Sequence, residues 1–309
     1  MGRKATVWTQ EKVFARKRDG HGQGTHSSYK PWLTVRDFSS IGTTTRLFSP
    51  KLGRTVTLFS NIERNAFLWF ESLRTFFDYF DQKPVPLEVS MQIADELGIN
   101  HPYMLKTREP AIVTLDGVLM QSDGRERHID CKPLAELKNK RTMEKLALRR
   151  EYARRVGAEY ILVTEETIPR VVVHNLQWIR MAAVRGSWSE NLGGSVDEDM
   201  TSEFHRALSH ASEHEPAERL LQFLERFDRQ FGCACGAANW ALRRLLWSHQ
   251  ARFDLTTSFR SLLVGPLGTL SLATPDACLS AAAERPPGPA SGVLSQRPAS
   301  ASAAPQIHG

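Results

Sequence analysis

Three acidic residues and one lysine have the types and order that a metal-dependent phosphodiester hydrolase needs. Asp116 interrupts an apolar run, and the triplet Asp130-Cys131-Lys132 follows, with Asp130 fourteen residues later. Hydrolysis of a phosphodiester needs a divalent cation, and Mg²⁺ prefers carboxylate oxygens. A lysine beside the ligands can hold the attacking water and stabilise charge on the phosphate. We therefore predict Glu63, Asp116 and Asp130 as catalytic ligands of Mg²⁺ or Mn²⁺, and Lys132 as the catalytic cation.

Asp116 and the triplet are predicted to lie on the two strands of a β-hairpin. The apolar run 111–120 and a second run, 127–132, flank the polar segment 121–125, which contains the Asp-Gly pair typical of a hairpin turn. Side chains two residues apart on a strand share a face, so Asp130 and Lys132 should point the same way. A hairpin can bring Asp116 beside this pair.

Each of these residues also has a simpler structural explanation. Asp116 could begin a turn with the glycine that follows it, and Asp130 and Lys132 could form a surface ion pair of little energetic value. Glu63 lies three positions after Ser60, as in the capping box at a helix N-terminus. The capping role and the ligand role of Glu63 can coexist, because the first turn of a helix can face a site.

The spacing of apolar residues predicts an α/β core with a mixed sheet, followed by a mainly α region. Up to residue 165 we predict short strands at 32–35, 44–48 and 54–59, a helix at 61–77, a helix at 88–98, the hairpin, a basic helix at 141–157 and a strand at 160–164. Beyond it we predict helices at 171–183, 203–231 and 236–250, and a short β unit at 252–272.

These patterns divide the chain into four segments. We predict a basic arm at 1–30, a catalytic domain at 31–165, a C-terminal domain at 166–275 and a tail at 276–309. The tail is predicted to be disordered, because its Ala, Pro, Ser and Gly cannot bury enough apolar surface. Residues 1–55 carry eleven Lys or Arg against three acids, an excess of eight, whereas the whole chain has a net charge of +6. This excess suits a phosphate backbone, although a solvated N-terminus explains it equally well.

Several other classes of protein are disfavoured. No apolar run of about 18 residues is present to span a membrane, and the N-terminus has no apolar core for a secretory signal. The four cysteines are too few and too unevenly spaced for a disulfide framework, which favours a cytoplasmic location. The sequence has no GxxxxGK[ST] loop, so nucleotide hydrolysis is not expected.

Two further groups of residues leave alternatives open. Cys233 and Cys235, with nearby histidines, suggest part of a zinc site but lack a matching second pair of ligands, so a buried helix terminus is the preferred explanation. The predicted basic helix carries Arg149, Arg150, Arg154 and Arg155. These arginines could contact DNA phosphates or form a solvated helix face.

Several short segments occur in an order that is similar to one known family. They are Gly22–Gly24, Tyr29–Val35, Leu58–Glu63, Gly98–Pro102, Asp130–Pro133, Arg141–Leu146 and Arg149–Tyr152. Together they resemble the TnsA family, the endonuclease subunits of heteromeric cut-and-paste transposases. The resemblance covers about residues 20–170 and fades towards Trp178.

The resemblance implies a restriction-endonuclease-like mixed sheet with flanking helices, followed by a winged-helix-type C-terminal domain. It assigns the helix glutamate to Glu63, the strand aspartate to Asp116 and the lysine to Lys132. Where the best-known member has a glutamine two residues before the lysine, this chain has Asp130, which is closer to the general D-(D/E)xK nuclease pattern. Leu115, rather than a proline, precedes Asp116.

The resemblance also implies a substrate and partners. Such proteins nick the 5′, non-transferred strand at the ends of a transposon, while a DDE-type transposase (TnsB) cuts the 3′ ends. An AAA+ ATPase regulator (TnsC) is contacted through the C-terminal region, here residues 166–275. Two alternatives remain open. One is a stand-alone restriction or repair nuclease of the same fold, and the other is a non-catalytic DNA-binding subunit.

Overall fold

The computed structural model describes residues 6, 8–37, 43–104, 107–184, 198–265 and 270–272. Its α-helices are α1 (Gln10–Arg18), α2 (Asn61–Glu71), α3 (Leu87–Glu96), α4 (Lys140–Arg155), α5 (Arg170–Val184), α6 (Glu198–His214), α7 (Leu220–Gln230) and α8 (Ala237–Trp247). Its strands are β1 (Thr45–Ser49), β2 (Arg54–Leu58), β3 (Phe76–Pro84), β4 (Thr114–Gln121), β5 (Glu126–Cys131), β6 (Glu159–Val163), β7 (Ala251–Phe253) and β8 (Leu270–Leu272). None of the described helices has the length and apolar character that a membrane span requires.

The central sheet has the strand order β3-β4-β5-β6. β4 pairs antiparallel with both β3 and β5, whereas β6 runs parallel to β5. The predicted α/β class, the mixed sheet and the hairpin of β4 and β5 are therefore confirmed.

Helices cover both faces of this sheet, and alternate residues of β4 point to opposite sides. Leu119 packs in one core with Phe67 of α2, whereas Val118 packs in another with Leu148 of α4. Strands covered on both faces are apolar almost throughout. A carboxylate in such a strand is costly unless it has partners, and Asp116 is in this position.

The predicted helix 61–77 is wrong at its C-terminal end. α2 ends at Glu71, and Phe76 begins β3, a strand that was not predicted. Leu73 and Phe77 continue the apolar spacing of the helix. Nevertheless, the hydrogen bonds that β3 forms with β4 outweigh this local pattern, and the Phe77 side chain is left exposed.

The N-terminal segment contains more regular structure than the predicted arm. α1 lies within it, and Arg16 of α1 pairs with Asp37 at 2.7 Å. The Asp37 carboxylate also accepts hydrogen bonds from the backbone N and Oγ1 of Thr34. These contacts close a short 3₁₀ turn at Val35–Asp37, so the strand predicted at 32–35 is wrong.

The described part of the C-terminal region is mainly α, as predicted, with a β7–β8 pair after α8. The predicted helix 203–231 is wrong, because it is interrupted between α6 and α7 near Pro216, which cannot continue the helical hydrogen bonds. Phe204, Leu224 and Leu242 belong to a core of these helices. The tail predicted at 276–309 lies outside the described residues.

Candidate active site

Glu63 is fixed in the first turn of α2 by the helix cap. Ser60 is the N-cap residue, and its Oγ accepts a hydrogen bond from the Glu63 backbone N at 3.0 Å. The Glu63 carboxylate in turn accepts from the Phe59 backbone N at 3.0 Å and from Ser60 Oγ at 3.1 Å. Ser60 thus caps α2 as predicted, but the Glu63 carboxylate accepts from the backbone N of Phe59 rather than from that of Ser60, as a capping box would require. These bonds set the direction of the carboxylate.

Asp116 lies within β4, so the alternative that it begins a turn is wrong. Its Oδ2 accepts hydrogen bonds from the Cys131 backbone N at 2.8 Å and from Lys132 Nζ at 3.3 Å. Its other oxygen, Oδ1, makes no hydrogen bond to any residue that the structure describes. The hairpin therefore places Asp116 beside Lys132, as predicted, and leaves one carboxylate oxygen available.

Lys132 follows the last residue of β5 and turns towards Asp116. Besides Asp116, its ammonium contacts the Cys131 carbonyl at 2.9 Å. Burial opposes the charge on Lys132, but Asp116 and Asp130 together hold its pKa above the ordinary value. The alternative that Asp130 and Lys132 form a surface ion pair is therefore wrong, because Lys132 pairs with Asp116 across the hairpin.

Asp130 is fully buried behind this pair. Its Oδ2 accepts a hydrogen bond from the Tyr160 hydroxyl at 2.7 Å, and its Oδ1 lies 3.1 Å from a terminal nitrogen of Arg149. That second contact is an ion pair by distance but lacks hydrogen-bond geometry. Burial raises the pKa of Asp130, while Arg149 opposes this rise. Asp130 is thus held by partners on two other elements, Arg149 of α4 and Tyr160 of β6.

Glu63 and Asp116 are close enough to repel each other. Burial, and then the Asp116 carboxylate, raise the pKa of Glu63 to about 8, although the hydrogen bonds from Phe59 and Ser60, and then Lys132, partly offset them. Two carboxylates that repel each other in a desolvated position favour a bound cation. Within the described residues, however, no three His, Cys, Asp or Glu side chains converge to hold a metal ion. This also gives no support to the zinc alternative at Cys233 and Cys235.

Two residues at the site were missed in the sequence. Tyr79, on the unpredicted strand β3, packs its ring so closely on Gly117 that a methyl group there would overlap the hydroxyl. Arg149 had been noted only as a possible phosphate contact, yet it pairs with Asp130. Both contacts join residues far apart in the chain, and only knowledge of the strand pairing could have revealed them.

The other arginines of α4 differ in their surroundings. Arg154 pairs with Glu151 at 2.8 Å, and Arg155 pairs with Glu151 at 3.1 Å. Arg150 is exposed and has no hydrogen bond or ion pair to a described residue. The alternative of a solvated helix face therefore fits Arg150 and Arg154, and Arg149 belongs to the buried site.

Comparisons with known proteins show which proteins this chain is similar to. Residues 75–165 match the family model described as TnsA-like endonuclease N terminal, a segment that contains Asp116, Asp130 and Lys132 but not Glu63. The chain is also similar to Transposon Tn7 transposition protein TnsA of Escherichia coli, with 27% identity over 263 residues, which is 84% of this chain and 92% of that protein. These similarities bear out the resemblance to the TnsA family that the sequence motifs indicated.

Proposed function

We propose that this chain is the DNA endonuclease subunit of a transposase and hydrolyses the 5′, non-transferred strand at transposon ends with Mg²⁺ or Mn²⁺. The observation that carries the proposal is the contact between Lys132 and Asp116 across the β4–β5 hairpin, with the Glu63 carboxylate beside it. The similarity of residues 75–165 to the TnsA-like endonuclease N-terminal model, and of the chain to TnsA, supports the endonuclease activity.

Glu63 and Asp116 are the proposed direct ligands. Both present hard oxygen donors, and Asp116 Oδ1 is not used in a hydrogen bond. Mg²⁺ commonly takes only one or two carboxylates and fills its other positions with water and phosphate oxygens. Two carboxylates are therefore enough. Asp130 is proposed as the third carboxylate, but it would first have to turn away from Arg149 and Tyr160.

The chemistry then divides between the cation and the protein. A divalent cation supplies polarisation of the scissile phosphate and a lower pKa for the attacking water. Lys132 keeps its ammonium next to Asp116, where it can donate to a phosphate oxygen and stabilise the charge that develops there. The cap at Ser60 keeps Glu63 in place, and the Cys131 backbone N fixes Asp116.

The remaining regions are proposed to serve recognition and assembly. We propose that 31–165 is the catalytic domain and that 166–275 is a winged-helix-type domain, which contacts a TnsC-like AAA+ ATPase. A DDE-type transposase similar to TnsB would cut the other strand of the same double-stranded DNA ends. The separate apolar core of α6, α7 and α8 supports this division. A cytoplasmic location remains a prediction.

A reconstituted cleavage assay tests the proposal against its alternatives. The purified chain is incubated with Mg²⁺ and transposon-end DNA, with and without the partner transposase, and nicks are mapped on both strands. We expect nicks at the 5′ ends only when the partner is present. Cleavage by the chain alone would indicate a stand-alone nuclease. No nicks in either case would indicate a non-catalytic DNA-binding subunit.

A further inference from the structure

One exposed lysine on α4 lies between the candidate active site and the loop after α3. Lys145 is one helical turn from Arg141 and one turn from Arg149, so the three side chains share a face of the helix. Arg149 reaches Asp130 at 3.1 Å, and Arg141 donates to the Asn100 carbonyl at 2.6 Å. These two contacts fix the direction of that face, which looks towards the end of β5.

The charges around Lys145 are mostly of one sign. Its charged neighbours are the cations Arg141, Arg149 and Lys132, and the acid Glu136. Partial desolvation by its neighbours, and then the nearby cations, lower the pKa of Lys145, although the residue is exposed. Arg141 and Arg149 have carboxylate partners in Glu144 and Asp130, whereas Lys145 has no hydrogen bond or ion pair to a described residue.

An unpaired lysine among cations is unfavourable unless an anion joins it. We infer that Lys145 binds a phosphate of the DNA backbone next to the phosphate that is cut, and so positions the strand at Lys132. A phosphate at this place would neutralise the surplus positive charge. This inference rests on the proposed function for the identity of the anion, and it makes Lys145 a positioning residue.

Equilibrium binding of duplex DNA, measured by fluorescence anisotropy without divalent metal over a range of salt concentrations, tests this inference. A phosphate contact releases counterions, so Lys145→Gln should reduce the slope of log affinity against log salt by about 0.9. Arg150→Gln on the same helix removes the same charge from the other side and should leave the slope unchanged. Lys145→Arg should preserve wild-type binding, and Glu136→Gln should tighten it.

The results separate a phosphate contact from other roles of Lys145. Equal slopes for Lys145→Gln and Arg150→Gln would overturn the inference. Failure of the wild-type chain to bind the duplex at about 50 mM salt would also overturn it, because phosphate contacts are strong at low salt. Thermal unfolding midpoints of the variants should match that of the wild type. Because the measurement excludes metal and cleavage, it can succeed even if the chain never cuts DNA.

Discussion

The two oxygens of Asp116 have different surroundings, and this asymmetry defines the proposed site. Oδ2 is held by Lys132 and by the Cys131 backbone, while Oδ1 has no hydrogen bond to a described residue. A side chain held through one oxygen keeps the other in a fixed position for a ligand. Both oxygens of Glu63, by contrast, accept hydrogen bonds, from the Phe59 backbone N and from Ser60 Oγ, and these bonds fix its carboxylate at the start of α2.

Glu63→Gln separates the capping role of Glu63 from its proposed ligand role. The amide oxygen can still accept from Phe59, and repulsion from Asp116 disappears, so the unfolding midpoint in EDTA should stay the same or rise. Mn²⁺ affinity, measured by calorimetry, should fall by at least about tenfold. Glu88→Gln, in the first turn of α3, is the matched control and should change neither quantity. Unchanged Mn²⁺ affinity in Glu63→Gln would leave Glu63 as a cap alone.

Spacing was sufficient to predict Asp116 and Lys132 as neighbours, because a hairpin relates residues that are close in the chain. It was not sufficient for Asp130, whose partners Arg149 and Tyr160 come from α4 and β6. A buried ion pair between distant elements leaves no local pattern in a sequence. The role of an acidic residue therefore depends on contacts that only the fold supplies.

At the scale of elements, α5 connects the two parts of the molecule. Arg180 of α5 pairs with Glu71 of α2 at 2.5 Å. Asn175, also on α5, donates to the carbonyls of Leu255 and Thr257 at 2.8 and 2.7 Å, and accepts from the Phe259 backbone N. The helix thus contacts both the part of the chain that holds the candidate active site and the C-terminal region through polar side chains.

Asn175→Ala should destabilise the C-terminal region strongly. The substitution removes three partly buried hydrogen bonds and leaves two backbone carbonyls and one backbone N without these partners, which costs at most about 1–3 kcal/mol for each unsatisfied group. In chemical denaturation, this variant should unfold at a lower denaturant concentration than the wild type. Gln177→Ala lies on the exposed side of the same helix and should be close to wild type. If both variants unfold alike, α5 does not hold the regions together in this way.

Elements with a clear apolar pattern were predicted well from the sequence, whereas β3 of the central sheet was not. α3, α4 and α5 were predicted nearly in full, because each buries one stripe of apolar residues. β3 was missed because its nine residues include polar side chains, and the burial of these side chains depends on partners in other elements. One of these is Asp81, which pairs with Arg54 of β2 at 2.7 Å.

At the scale of the whole molecule, a cluster of positive groups lies where the two regions meet. Lys51, between β1 and β2, places its ammonium over the rings of Phe76 and Trp247. His249 follows α8, and its Nε2 is buried without a hydrogen bond. Burial, and then Lys51 and Arg74, lower the pKa of His249 to about 4. This histidine is therefore neutral in the folded protein at neutral pH.

Stability should therefore fall as the pH falls from about 6.5 towards 4. An unfolded histidine titrates near 6.5, so between these values the unfolded chain binds a proton that the folded chain does not. His249→Asn should lessen the drop in unfolding midpoint between pH 7 and pH 5, and asparagine tolerates the positive φ of this position. His174→Asn, on the exposed side of α5, is the control. If the unfolding midpoint of His249→Asn falls between pH 7 and pH 5 by as much as that of the wild type, the result would contradict this account.

The most direct test of the central claim is the rate of strand nicking by the reconstituted system with Asp116→Asn or Lys132→Met. The nicking rate of each variant should be lower than that of the wild type by at least about a hundredfold. Asp116→Asn removes the charge of a proposed metal ligand, and Lys132→Met removes the ammonium proposed to contact the phosphate. Asp123→Asn, in the exposed turn of the same hairpin, should nick at the wild-type rate. Wild-type nicking by Asp116→Asn and Lys132→Met would show that the site described for this chain does not cut DNA.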